Sequence, residues 1–192
     1  MIILLFVFLT LVSLGLLLWQ ASNIISVFFG SPYVIADRKV ITYALKLADL
    51  KKGEIFYDLG CGNGDTLIEA VRLGAKAIGF EISPFYFLWA KFRIFIFKKI
   101  YHFLRWSGKS DINYRYRPTI EVKFQNINKV DLKKADVVYC YLLPELIEKM
   151  RIKFKKTLKR DARLISIGFP IRDLPSANQG KIKKHSIYLY RF

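Results

Sequence analysis

No aspartate, glutamate, lysine or arginine occurs before Asp37. Acidic residues are scarce throughout: 15, against 32 lysines and arginines, leave a net charge of +17. Two cysteines in 192 residues exclude a disulfide scaffold. The only histidines, His102 and His185, lie far apart, and no grouping of His, Cys and carboxylates has metal-ligand spacing. No metal is expected, and both histidines read as ordinary surface or core residues. Apolar residues, by contrast, are abundant. At 53% hydrophobic and 16% aromatic, the chain is too apolar to be disordered. A mean hydropathy of +0.24 beside 24% charged residues implies a greasy segment joined to a basic one.

The greasy segment is the start. Ile2 to Trp19 is broken only by Thr10, Ser13 and Gly15, none of them costly in a membrane helix. As a helix it reaches about 27 Å, close to the hydrocarbon thickness of a bilayer. A cleaved signal peptide would begin with Lys or Arg, have a shorter core and end in small residues. Here the basic start is missing, and Trp19 and Ala21 make a poor cleavage site. A buried core helix would rarely lack every polar stripe. The length therefore favours a transmembrane anchor within residues 1–30, with apolar Ile24 to Phe29 in the interface. Basic residues follow the span, beginning at Arg38 and Lys39. The positive-inside rule then makes a single-pass protein with its body, residues 31–192, in the cytoplasm.

The body reads as alternating helices and strands. Val40, Ile41, Ala44, Leu45, Leu47 and Ala48 have helical spacing, and Lys51-Lys52-Gly53 closes that helix. Ile55 to Leu59 is a strand, Thr66 to Leu73 a helix, and Ala77 to Ile82 a second strand. Pro84 opens a long apolar helix to about Leu104. A basic loop, Ser107 to Pro118, precedes strands at Ile120 to Phe124 and Ala135 to Leu142. Pro144 opens a helix to about Leu158. Arg163 to Ile167 is a strand, Phe169 to Gly180 irregular, and Ile187 to Phe192 a terminal strand. This alternation predicts an α/β domain around a mostly parallel sheet.

The segment with chemistry is Asp58-Leu59-Gly60-Cys61-Gly62-Asn63-Gly64-Asp65, between a predicted strand and a predicted helix. Glycine permits a tight turn and close approach of a ligand to the backbone. The helix start beyond offers unpaired N–H groups. In open α/β sheets ligands bind outside the carboxyl ends of strands, where this loop falls. A nicotinamide fingerprint would need glycine at position 65, which is Asp. A second acid, Glu81, ends the next strand, 23 residues after Asp58.

This pattern resembles motif I of class I S-adenosylmethionine (SAM)-dependent methyltransferases. The resemblance implies a Rossmann-like three-layer sandwich, with SAM held by Asp58, Gly60, Cys61, Gly62, Asn63, Gly64 and Glu81. Glu81 takes the ribose hydroxyls by that analogy, and Asp58 orients the methionyl end. Asn126, where the family carries aspartate, can accept from the adenine amine, or serve equally as a turn residue. Pro32-Tyr33-Val34, Gly79-Phe80-Glu81-Ile82-Ser83-Pro84, Tyr141-Leu142-Leu143-Pro144 and Phe169-Pro170 narrow the resemblance. They are similar to the small membrane-anchored lysine methyltransferases. That family includes the mitochondrial enzymes acting on the ATP synthase c-subunit and the adenine nucleotide translocase, with prokaryotic relatives. Two departures are Ile35, where the family has a second proline, and a longer, more basic region from Phe85 to Pro118. The resemblance implies an acceptor channel lined by Tyr141, Leu142, Leu143 and Pro144, with Tyr33 covering it.

Other acceptors fit the residues less well. Methylation of exocyclic base amines commonly uses an Asn/Asp-Pro-Pro-Tyr loop, absent here. Cytosine C5 chemistry needs a cysteine after proline, whereas Cys140 follows Tyr139 within a strand and reads as a small core residue. Glu145 and Glu148 begin a helix, where acids suit the dipole, rather than forming a glutamate pair on a hairpin. The basic and aromatic stretch from Lys91 to Arg117 can grip RNA phosphates, lie on anionic lipid or form a solvated face. A tethered domain meets lipid first. The expected activity is SAM-dependent methylation of a lysine on a membrane or membrane-proximal protein. The alternatives are a lipid, quinone or other small membrane molecule, or RNA.

Overall fold

The computed structural model describes residues 1–28, 34, 36–107 and 118–192, without the side chains of 26–28 and 105. Tyr33, the departure at Ile35, and most of the basic loop lie outside the described residues.

One helix, α1 (Ile2–Phe28), carries the greasy segment. It runs unbroken through the stretch expected to lie apart in the interface, because nothing between Trp19 and Phe28 breaks a helix. The body then follows as α2 (Arg38–Leu47), β1 (Ile55–Leu59), α3 (Asp65–Arg72), β2 (Lys76–Glu81), α4 (Pro84–Trp106), β3 (Ile120–Phe124), β4 (Val137–Cys140), α5 (Pro144–Thr157), β5 (Arg163–Ile167), β6 (Asn178–Ile182) and β7 (His185–Arg191). A single 3-10 turn, Ile127–Lys129, follows β3.

Among the described residues, seven strands form one sheet in the order β3-β2-β1-β4-β5-β7-β6. The first five run parallel, and β7 lies antiparallel to β5 and to β6. The order reverses between β1 and β4, so the carboxyl ends of those two strands flank the crevice where ligands bind in such sheets. The three central strands are buried almost throughout, as strands covered on both faces must be. One core packs α2, α3 and part of α4 against one face through Ile41, Leu45, Leu67 and Ile94. A second packs α5 against the other through Leu146, Ile147, Met150 and Phe154.

Two departures from expectation have simple causes. The β4 strand is shorter than the apolar run around it. A turn closed by Ala135 N–H donating to the Leu132 carbonyl precedes it, and beyond Cys140 the chain leaves the sheet. β6 replaces a stretch that reads as irregular. Its sequence, Asn-Gln-Gly-Lys-Ile, has no apolar alternation because it is an exposed edge strand, held by backbone pairing to β7.

Candidate active site

β1 delivers Asp58 to the centre of the sheet, with Gly79 of β2 on one side and Tyr139 of β4 on the other. Gly79 has no room for a side chain. A Cβ there would stand 2.6 Å from both the Cys61 sulfur and a Leu67 methyl. That gap lets the loop after β1 fold down onto β2. Gly60, Gly62 and Gly64 all adopt positive φ, which explains three glycines two apart. Gly60 and Cys61 donate their N–H groups to the Phe80 carbonyl, and Gly62 donates to Glu81 Oε2 at 2.8 Å.

Glu81 is more committed than a free ribose acceptor. Its other oxygen accepts from the N–H groups of Ile82 (2.9 Å) and Ser83 (2.8 Å). Three of roughly four acceptor positions are used, leaving one facing the cleft. Burial pushes this carboxyl up, and the three N–H donors oppose it. Asp58 is only 2% exposed. Burial first, then the charge of Glu81, push its carboxyl up to about 8, with a hydrogen bond from Thr66 acting the other way. Asp58 therefore holds a proton at neutral pH until a cation arrives beside it. Tyr139 lies in the same row, with its hydroxyl near Thr66, buried and without a hydrogen bond of normal geometry.

These groups border a cleft of about 850 Å³, open mouth included. Asp58, Gly60, Cys61, Gly62, Asn63, Glu81, Asn126 and Tyr141 all line it. Gly64 lies behind the wall as the N-cap of α3. Asn63 links the loop to that helix: its oxygen accepts from Asp65 N–H and its amide donates to the Asp65 carboxylate. The Asn126 oxygen accepts from Asn128 N–H at 2.9 Å, so the turn role is realised, and the residue still borders the cleft. Cys61 is buried, and its thiol is pushed well up by burial and by the two acids, which suits packing rather than reactivity. Cys140 donates to the Ile165 carbonyl, with its thiol pushed up to about 12 by burial; it is a core residue.

Of the residues expected around an acceptor channel, Tyr141 and Leu142 line the cleft. Pro144 sits at the first turn of α5, off the cleft wall, as does Leu143, its N-cap. The wall is Tyr141, Leu142 and Leu146, because the first turn of α5 brings Leu146 back toward the cleft. Sequence reading also passed over Thr66, Tyr86 and Tyr139, which border the same cleft. It took His185 for an ordinary histidine, yet Tyr141 Oη and His185 Nδ1 are 3.2 Å apart, with rings edge to face. Tyr139 stands two residues before Tyr141, a spacing that could have pointed to it; no such signal exists for His185. Among the described residues no cluster is suited to a metal.

The donor set fits SAM: two buried carboxylates, Asp58 and Glu81, for an ammonium and a ribose, at the wall of one cleft. A family model described as the ANTKMT methyltransferase domain matches residues 58–178. The chain belongs to that family. As an ANTKMT-family methyltransferase it uses SAM as its cofactor. It is 30% identical over 165 residues to a protein-lysine N-methyltransferase of Saccharolobus islandicus, covering 83% of this chain and 92% of that one. It is 24% identical to the human lysine N-methyltransferase of the ATP synthase c-subunit over 72% of this chain, and spans about half (52%) of that protein. An RNA methyltransferase from Salinibacter ruber, solved in complex with S-adenosyl-L-homocysteine, shares the fold. It superposes with a TM-score of 0.67 at 24% identity, over 82% of this chain and 93% of that one.

Proposed function

We propose that this enzyme methylates lysine side chains of membrane or membrane-proximal proteins, with α1 spanning the membrane and the catalytic body in the cytoplasm. The observation that carries the reading is the acceptor wall. It joins the Tyr141 hydroxyl to two leucines, Leu142 and Leu146. Such a wall suits an alkyl chain ending in an amine. The names of the relatives point the same way. For the anchor, every residue from Ile2 to Ala21 is exposed, and a helix of that length matches what a bilayer core needs. Charged side chains begin at Asp37, and the first cationic ones, Arg38 and Lys39, lie beyond the span.

SAM supplies, when bound, a methyl group already activated on a sulfonium. The protein's share is holding, drying and proton handling. Asp58, as a carboxylate, would hold the cofactor's ammonium. Glu81 holds the Gly62 turn and offers its remaining lone pair to the ribose. An entering lysine must arrive uncharged, and the leucine wall favours that form by desolvation. The Tyr141 hydroxyl, kept protonated because burial pushes it up, offers its lone pairs to the amine N–H. His185 Nδ1 holds that hydroxyl in place. Transfer would form one N–C bond for the S–C bond broken, and the proton of the resulting ammonium would pass to water at the cleft mouth.

The test is to incubate membranes with isotopically labelled SAM, with and without the enzyme, and to locate the label by mass spectrometry. Methyllysine in a membrane protein is the expected result. Label confined to lipid, quinone or RNA overturns the lysine assignment.

A further inference from the structure

The α4 helix has two faces. Ala90, Ile94 and Tyr101 are buried against the body. The opposite row, Trp89, Phe92, Ile96, Ile100, Phe103 and Trp106, recurs every three or four residues and is 39% to 85% exposed. It is a single apolar stripe about 26 Å long, and Trp89, Phe92, Ile96 and Ile100 border an open groove whose other side is Arg38, Ile68, Glu69 and Arg72. Among monomeric soluble proteins so long a contiguous apolar surface marks an interaction site. Tryptophan stands near each end of it, the residue enriched where a protein meets the polar boundary of a bilayer.

The charges of α4 itself have one sign, while Asp65 and Glu69 in the adjoining groove are taken up by Arg38, Arg72 and Arg93. α4 contains no acidic residue. Of its cations, Arg93 is engaged inward, on the Asp65 carboxylate (2.6 Å) and the Asn63 carbonyl (3.1 Å). Lys98 donates to the Ile120 carbonyl. Each of these two cations fastens α4 to the body. Arg105 lies outside the described side chains. Lys91 and Lys99 remain outward, their ammonium groups 5.3 and 5.4 Å from the centres of the Phe87 and Phe95 rings. This is the posture of a lysine whose stem lies on apolar surface while its head stays in a polar layer.

α1 meets α4 at the stripe's beginning. The Ser22 hydroxyl, fully buried near the end of α1, accepts from Phe85 N–H at 2.9 Å. A bilayer holding α1 therefore begins where the stripe begins. We infer that α4 lies along the bilayer surface, its Trp89–Trp106 stripe sunk among the lipids and Lys91 and Lys99 against anionic headgroups. A second copy of the chain suits the stripe less well, because it would bring the same lysines together without an acid on either helix. The inference rests on α1 being a membrane span. It places the cleft mouth, bordered by Tyr86 of the first turn of α4, in the headgroup layer.

The test uses the full chain in liposomes of phosphatidylcholine and phosphatidylglycerol. In a Trp19→Phe/Trp89→Phe variant, Trp106 is the one remaining tryptophan. Replacing the phosphatidylcholine with its acyl-dibrominated form should quench most of the Trp106 emission. Adding Phe92→Glu and Ile100→Glu should abolish that quenching while the protein still resists carbonate extraction. Unquenched Trp106 in carbonate-resistant protein overturns the inference and leaves the anchor standing; so does an unquenched Trp106 with cross-linking between two copies of α4. Extraction by carbonate overturns the anchor, and this inference with it.

Discussion

The cleft and the α4 surface are built from opposite materials. Around the cleft, charge is buried: Asp58 and Glu81 are 2% and 8% exposed and are held by backbone N–H groups and a hydroxyl. Along α1 and α4, apolar side chains are exposed and the charges stand at the edge. Each arrangement is unfavourable in water alone. A buried acid costs free energy until something cationic binds, and an exposed stripe of aromatics costs free energy until something apolar covers it. Both therefore mark places where the protein is incomplete without a partner, and the chemistry of each defect describes what completes it.

The contrast can be broken most severely at its base. Gly79→Val drives a branched side chain into Cys61 and Leu67, both packed and unable to retreat. Overpacking of this kind costs about 1–3 kcal/mol or more, and here it also displaces the cofactor loop. Thermal unfolding should show the loss, and SAM titration no binding. Glu81→Ala comes next. It removes the acceptor of three N–H groups, so it should loosen the loop as well as the ribose contact, at about 1.5–3 kcal/mol for each charged hydrogen bond lost. Calorimetry should find affinity lost; unaltered affinity would mean that Glu81 faces no cofactor.

Asp58 sharpens the comparison through pH. Its folded carboxyl titrates near 8, against an ordinary 3.8. Between those values the folded state holds a proton that the unfolded state has released, so this residue's contribution to stability falls as pH rises through that window. Asp58→Asn should remove the fall. At pH 8 the cofactor-free variant should be more stable by at least about 1.4 kcal/mol, the worth of one pKa unit, while its SAM affinity drops. Denaturant melts at pH 5 and pH 8 test this, and parallel curves for the two proteins would refute it.

Smaller effects lie at the acceptor wall and at the hinge between the regions. Tyr141→Phe and His185→Phe should lower turnover on lysine by about tenfold to a hundredfold with SAM affinity unchanged. His185→Asn, which still offers an acceptor to the hydroxyl, should recover part of the loss. Ser22→Ala deletes the acceptor for Phe85 N–H and should cost about 1 kcal/mol of stability, with no change in SAM affinity. A large drop in affinity there would mean that the two regions are not separable.

Local pattern carried far in this chain. The 23-residue spacing from Asp58 to Glu81, the glycines that need positive φ, and the 3.6-residue periodicity of α2 and α5 are properties of neighbouring residues, so the fold and the glycine loop at the cleft are legible in the sequence. The charge-free start is legible for the same reason. What remained hidden depends on partners distant in sequence. Arg93 looks like one more cation of a basic helix until Asp65, 28 positions away, is found against it. His185 is a lone histidine until the β5–β7 pairing carries it to Tyr141, 44 positions away. β6 has no apolar signature because its bonds are to the backbone of β7 alone. Periodicity reports which face of an element is buried, and it does so locally. Which groups meet across a cleft is decided only when the sheet order brings separate strands side by side.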